Sequence, residues 1–218
     1  MPNSTDLDVR TLKPMLLTEA RSVPADPAFA VELKADGYRL LAQIEDRQVE
    51  LRTRNGADAT GWYPELARSL SGLTKARTVL DGEVVVLDEL GRSDFNRLHA
   101  RSRRRGWYSG ADVVVYMAFD VLVLRGQDVR PLSFSRRRSL LERMLAKPRP
   151  HLLLSKHMSG ELAPDLFQMV LRLKLEGIVL KRLDSPYSGG EPRTGDWVKI
   201  KRPGATPARR FNRDDVSL

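Results

Sequence analysis

The sequence predicts an α+β domain built largely on antiparallel sheets, and three observations lead there. Apolar runs with a period of two recur along the chain, helical patterns fall between some of them without strict alternation, and no GxGxxG or GxxxxGK[ST] loop is present. The pattern argues against a doubly wound parallel sheet. Any bound nucleotide must then be held by side chains on strands.

The 218 residues suffice for one large domain with a sizeable core. The first 28 residues carry four of the thirteen prolines and little periodicity, so they read as an irregular lead-in that wraps a neighbouring surface. Residues 29–34 alternate as a strand, Ala35, Asp36 and Gly37 supply a turn, and 38–44 with 49–53 read as a hairpin. Pro64 opens a helical pattern with Leu66, Leu70 and Leu73 on one face, and 79–87 resumes as an apolar strand before a turn at 88–91. Ser93 is placed to cap a helix reaching about Ser102. Residues 113–124 read as a buried strand, 135–145 as an amphipathic helix, 152–154 as a short strand and 161–174 as a further helix. Two strands, 177–181 and 197–201, end the core. From 204 to 218 the small, charged and helix-breaking residues read as a linker or tail.

Composition removes several kinds of chemistry. There is no cysteine, which excludes disulfides, thiolate zinc sites and a cysteine nucleophile, and His99, His151 and His157 lack zinc-binding spacing. Carboxylates are left to hold any metal. The formal net charge of +9 implies an anionic partner, nucleic acid foremost. Residues 97–108 concentrate this charge: Arg97, Arg101, Arg103, Arg104 and Arg105 precede Trp107 and Tyr108, and a second cluster follows at Arg136, Arg137 and Arg138. The first cluster is the better expected DNA contact. No apolar run approaches the roughly 20 residues of a membrane span, and the N-terminus lacks a signal peptide's apolar stretch. A soluble, cytoplasmic, monomeric protein is expected.

Several short segments carry reactive groups. Lys34 ends an apolar strand beside a tight turn, with Arg39 just downstream; Glu83 and Glu176 each precede or open an apolar run; Phe119 stands beside Asp120. Lys199 and Lys201, two apart on a strand, share one face. Each segment alone fits an ordinary structural role. Taken in order, KADGYR, RNG, DGE, FD, EGIVLK and WVKIK resemble the successive nucleotidyltransferase motifs of ATP-dependent DNA ligases, including the ligase domains of bacterial end-joining enzymes. The resemblance spans about residues 29–203.

The resemblance implies a nucleotidyltransferase (ATP-grasp-like) fold, with the nucleotide in a groove between sheets flanked by helices. It makes Lys34 the nucleophile that attacks the α-phosphate of ATP, leaving AMP covalently bound, before transfer to a 5′-phosphate at a nick or end in DNA. By motif position, Glu32 and the backbone at Leu33 face the adenine edge, Phe119 stacks on the base, and Arg39, Arg54 and Glu83 lie near ribose and phosphate. Glu176, helped by Glu83, is expected to hold Mg²⁺ or Mn²⁺. Lys199 and Lys201 neutralise the triphosphate, joined by Lys181 unless that lysine contacts the DNA phosphate. Only a neutral amine attacks, and an ordinary lysine with pKa about 10.4 presents one in about a thousand molecules near neutrality, a deficit of roughly 4 kcal/mol. Burial, a metal and the cations Arg39, Lys199 and Lys201 favour the neutral form, while Asp36 and Glu32 oppose it.

The family normally continues into an OB-fold domain that closes over ATP and DNA. Here about fifteen residues follow the lysine-rich strand, so an excised catalytic domain and a minimal protein served by a partner both fit. An RNA ligase, a capping-type nucleotidyltransferase and a non-catalytic basic nucleic-acid-binding module are the competing readings.

Overall fold

Two twisted sheets face each other across a cleft in the computed structural model, which describes residues 7–190, 193 and 195–205. The first sheet runs β1 (Thr18–Glu19), β11 (Trp197–Lys201), β10 (Gly177–Arg182), β2 (Phe29–Lys34), β9 (His157–Ser159). The second runs β4 (Gln48–Thr53), β3 (Tyr38–Glu45), β5 (Thr78–Val86), β6 (Val114–Leu124), β7 (Gln127–Asp128), and β8 (Leu152–Leu154) pairs with β6. Among the strand pairings of the described residues, β1 with β11 and β8 with β6 are parallel and the others antiparallel. The α+β expectation therefore holds.

Helices cover the outer faces. α1 (Pro64–Leu70) buries Leu66 and Leu70 against the second sheet, and α2 (Phe95–Arg103) buries Phe95 and Leu98. α3 (Phe134–Met144) packs on β6, and α4 (Ala163–Arg172) buries Leu166 and Val170 against Ile178, Leu180 and Ile200 of the first sheet. Between the sheets lies a further apolar cluster, with Leu7, Val9, Leu12 and Met15 packed against Leu41, Leu122, Phe134, Tyr187 and Trp197.

Three local expectations change. The cap of α2 is Asp94, whose side chain accepts from Arg97 N, while Ser93 Oγ accepts instead from Asp36 N. The helix expected over 161–174 is a 3-10 turn at Gly160–Leu162 followed by α4, because Pro164 fits the first turn and Lys174, at φ 54°, stops continuation. The lead-in is not wholly irregular: it buries Leu7, Val9, Leu12 and Met15 and contributes β1. The tail expected from 204 falls largely at 206–218, outside the described residues.

The second arginine cluster is not a surface. Arg137 and Asp120 are both fully buried, joined by Nε to Oδ1 at 2.9 Å and NH2 to Oδ2 at 2.8 Å, and Arg137 NH1 donates to the carbonyls of Leu132 and Ser185. Arg138, 4% exposed, donates to Glu142 and to the Ser155 carbonyl. Of the three, Arg136 alone is exposed. Removing one partner strands a buried charge, so Arg137→Ala is expected to lower unfolding free energy by about 3–5 kcal/mol, read from urea denaturation midpoints.

Candidate active site

The register of the first sheet assembles one wall of the cleft. Lys34 pairs with Gly177, which pairs with Lys201; Glu32 pairs with Val179, which pairs with Lys199; Ala30 pairs with Lys181, which pairs with Trp197. Directly paired residues share a face, so Glu32, Lys34, Lys181, Trp197, Lys199 and Lys201 all project to the same side. Gly177 lets the strands close here, since a Cβ on it would sit 2.2 Å from the Ile200 carbonyl oxygen. In the second sheet Arg39 pairs with Glu83 and Glu83 with Met117. The turn between the walls is equally tight: a Cβ on Gly37 would meet the Val84 carbonyl oxygen at 2.1 Å.

The cleft is lined by Leu17, Glu32, Leu33, Lys34, Ala35, Arg39, Glu83, Met117, Phe119, Ser155, Val179, Lys181 and Trp197. Lys34 Nζ donates to Glu176 Oε2 at 2.7 Å, and Lys201 Nζ lies 3.7 Å from the other oxygen of the same carboxylate. Glu176 is thus a junction between the two lysines. Lys199 Nζ reaches Glu19 at 3.1 Å.

Deeper in the cleft, Lys181 is almost fully buried, its ammonium 4.3 Å from the Phe119 ring centre and 4.5 Å from that of Trp197. It donates to Glu32 Oε1 at 2.9 Å, while Ser155 Oγ donates to Oε2 at 2.8 Å. Burial pushes the Lys181 pKa down, with the Glu32 charge opposing. At 2% exposure Lys181 cannot reach a DNA phosphate, which removes that alternative.

Arg39 is clamped from several sides. Its Nε and NH2 donate to Asp81 at 3.0 and 2.6 Å, and NH1 donates to the Met15 carbonyl at 2.6 Å. Burial disfavours the guanidinium charge, but fully buried Asp81 outweighs it and the pKa is raised. Tyr187 completes the arrangement: its hydroxyl donates to Asp81 Oδ2 at 2.6 Å and accepts from Met15 N at 2.8 Å. Sequence reasoning missed Tyr187 and Ser155, since both lie in connections outside any periodic run.

Other expected residues fall elsewhere. Arg54 is exposed beyond β4, its backbone N–H donating to the Arg39 carbonyl, and it does not line the cleft. Arg101 is fully buried, donating to Glu65, the Trp62 carbonyl and the Gly106 carbonyl, so it is not a DNA contact. Arg97 is committed to Asp112 at 2.6 Å and Glu89 at 3.2 Å, which offsets its charge toward a phosphate. Arg103, Arg104 and Arg105 are exposed. Glu176 is hydrogen-bonded to Lys34 and the Glu83 carboxyl feels its charge; among the described residues no cluster of three or more His, Cys, Asp or Glu could cage a metal.

The chain matches the family model for the ATP dependent DNA ligase domain over residues 14–201. It is 41% identical over 179 residues to the multifunctional non-homologous end joining protein LigD of Pseudomonas aeruginosa, a match covering 82% of this chain and 20% of that protein. It is 32% identical over 189 residues to the SPbeta prophage-derived DNA ligase-like protein LigB of Bacillus subtilis, covering 87% of this chain and 67% of that one. Among solved structures, the ligase domain of Mycobacterium tuberculosis LigD superposes with a TM-score of 0.76 at 32% identity, over 89% of this chain and 60% of that one. A mycobacterial DNA ligase D complexed with ATP gives the same score at 33% identity, over 89% and 61%. The chain spans about a fifth of the LigD protein of Pseudomonas aeruginosa.

Two outcomes follow from this geometry. Burial pushes the Glu83 carboxyl up to about 7, with the charges of Lys34 and Arg39 opposing. Its contribution to stability is present below about pH 4.5 and lost as pH rises through 7, where the folded protein must carry the carboxylate. Glu83 keeps some solvent exposure, so Glu83→Gln is expected to flatten the decline in urea stability between pH 5 and 8 by only about 1–2 kcal/mol. Tyr187→Phe strips a partner from both Met15 N–H and Asp81, and is expected to cost about 1–3 kcal/mol in the same assay.

Proposed function

The chain belongs to the ATP-dependent DNA ligase domain family, and from that membership we propose that it transfers AMP from ATP to Lys34 and onward to a DNA 5′-phosphate. One observation carries the reading. The Lys34 amine stands at the cleft with Glu32, Lys181 and Trp197 on its own face and Arg39, Glu83 and Phe119 across from it. This is a nucleophile beside an apolar slot for a base and a cationic rim for phosphates.

In the proposed step Lys34 Nζ forms a bond to the α-phosphorus while the bond from that phosphorus to pyrophosphate oxygen breaks. The ammonium proton must leave first, and Glu176 is the acceptor already hydrogen-bonded to it. Phe119 stacks on adenine, and Glu32, held by Lys181 and Ser155, faces its edge with the Leu33 backbone. Arg39 addresses ribose and phosphate; Lys199 and Lys201 neutralise the departing pyrophosphate. Arg54 acts only on the outer part of the nucleotide, given its place beyond the cleft lining.

Glu83 and Glu176 offer two carboxylates near Lys34, and these residues would hold a hard divalent cation. Bound there, Mg²⁺ or Mn²⁺ supplies charge neutralisation to the triphosphate.

We assign this chemistry to residues 29–203, with the lead-in packed against them, and assign closure over DNA to an OB-fold domain outside residues 1–218. Strand joining by this chain unaided is therefore expected to be slower than its own adenylation. The test uses ATP labelled at the α-phosphate, with metal and AMP-free protein. Label should stay on the denatured protein, be acid-labile, and vanish in Lys34→Ala; labelling from GTP instead would point to capping-type chemistry, and no label at all would sink the enzyme reading.

A further inference from the structure

The connection from α2 to β6 is a built surface rather than a loose basic loop. Arg101, fully buried, ties its NH1 to the Gly106 carbonyl and its NH2 to Glu65, so the turn that follows α2 is pinned from below. Arg105 takes the left-handed conformation at φ 43°, its N–H donating to the Ser102 carbonyl. The turn presents Arg103, Arg104 and Arg105 to solvent, interleaved with rings: the Arg104 guanidinium lies 4.2 Å from the Tyr108 ring centre, and that of Arg105 lies 5.3 Å from Trp62. Trp107 is 63% exposed, an unusual position for the largest apolar side chain in a protein of this composition.

The surface is also joined to the cleft. Ser93, just before α2, accepts from Asp36 N in the turn after Lys34, and His99 within α2 shares a 2.8 Å hydrogen bond with the Tyr38 hydroxyl. Nine helical residues at about 1.5 Å each carry the chain about 13 Å from that turn to the arginines, a distance of a few nucleotides along a strand. Arginines alone fit any phosphate backbone. An exposed indole beside them adds a demand, because a base inside a duplex is already stacked on both faces and has none to offer. Alternating cations and open aromatic faces are the recognition chemistry of unpaired nucleotides.

We propose that Arg103, Arg104, Arg105 and Trp107 form a docking platform for a single-stranded DNA overhang next to the strand break. This rests on the reading of DNA as the substrate, but not on Lys34 chemistry, and the test keeps the two apart.

Full-length protein is titrated against a fluorescein-labelled duplex bearing a single-stranded overhang, and against the same duplex made blunt, with anisotropy as readout. The overhang is expected to bind more tightly, and Trp107→Ala to reduce overhang binding about tenfold while leaving blunt binding unchanged. Trp107→Phe retains part of the effect. The double variant Arg104→Ala, Arg105→Ala is expected to weaken both DNAs and reduce the salt slope on the overhang by about 1.4, two phosphate contacts' worth. All of these side chains are exposed, and ATP labelling of the same variants should match the parent. Equal affinity for overhang and blunt DNA, or a Trp107→Ala effect that is absent or the same on both, overturns the proposal. Overhang binding that depends on Trp107 in a protein that takes no label supports the platform while the adenylation reading fails.

Discussion

The antiparallel register of β2, β10 and β11 is the constraint on which the site depends. Side chains alternate faces along a strand, so a slip of one residue between β2 and β10 would send Lys34 and Glu32 to the face that packs on α4. Gly177 at the centre of the Lys34 row, and Val31, Ile178, Leu180 and Ile200 on the opposite face, make any other register a clash or an exposure of core. The position of the Lys34 amine is thus set by apolar residues that do not line the cleft.

Charge is distributed against the same background. The chain has 37 basic residues and does not keep all of them on its surface. It places Arg39, Arg101, Arg137 and Lys181 inside, each against a buried or nearly buried carboxylate: Asp81, Glu65, Asp120 and Glu32. The planar guanidinium suits this role, since its several donors reach backbone carbonyls as well as the acid. Arg39 and Lys181 belong to the cleft, whereas Arg101 and Arg137 do the same work for the scaffold.

This is also where sequence and structure part. The longer strands of both sheets were legible because alternation of apolar and polar residues is a local signal, whereas β1, β7 and β9, two or three residues each, are too short to carry it; the ordered motifs pointed to Lys34, Arg39, Glu83, Phe119 and Glu176. The arginine runs were misread for the same reason: charge along a sequence says nothing about which side chains face a distant acid. Asp120 lies 17 residues before Arg137, and Glu65 lies 36 residues before Arg101. Tyr187 and Ser155 were invisible because their partners, Asp81 with Met15 and Glu32, are far away in sequence.

The clamp of Met15 by Tyr187 joins residues 172 apart, and Lys181 reaches Glu32 across 149. Pairings so distant are assembled late, because the closure entropy of the intervening chain must be overcome before they form. During synthesis β2 emerges with no strand beside it until β9 and then β10 leave the ribosome, and Lys34 has no Glu176 to pair with before that point. The cleft therefore comes into being only when nearly the whole domain has been made, and a prematurely ended chain lacks the wall that β10 and β11 supply.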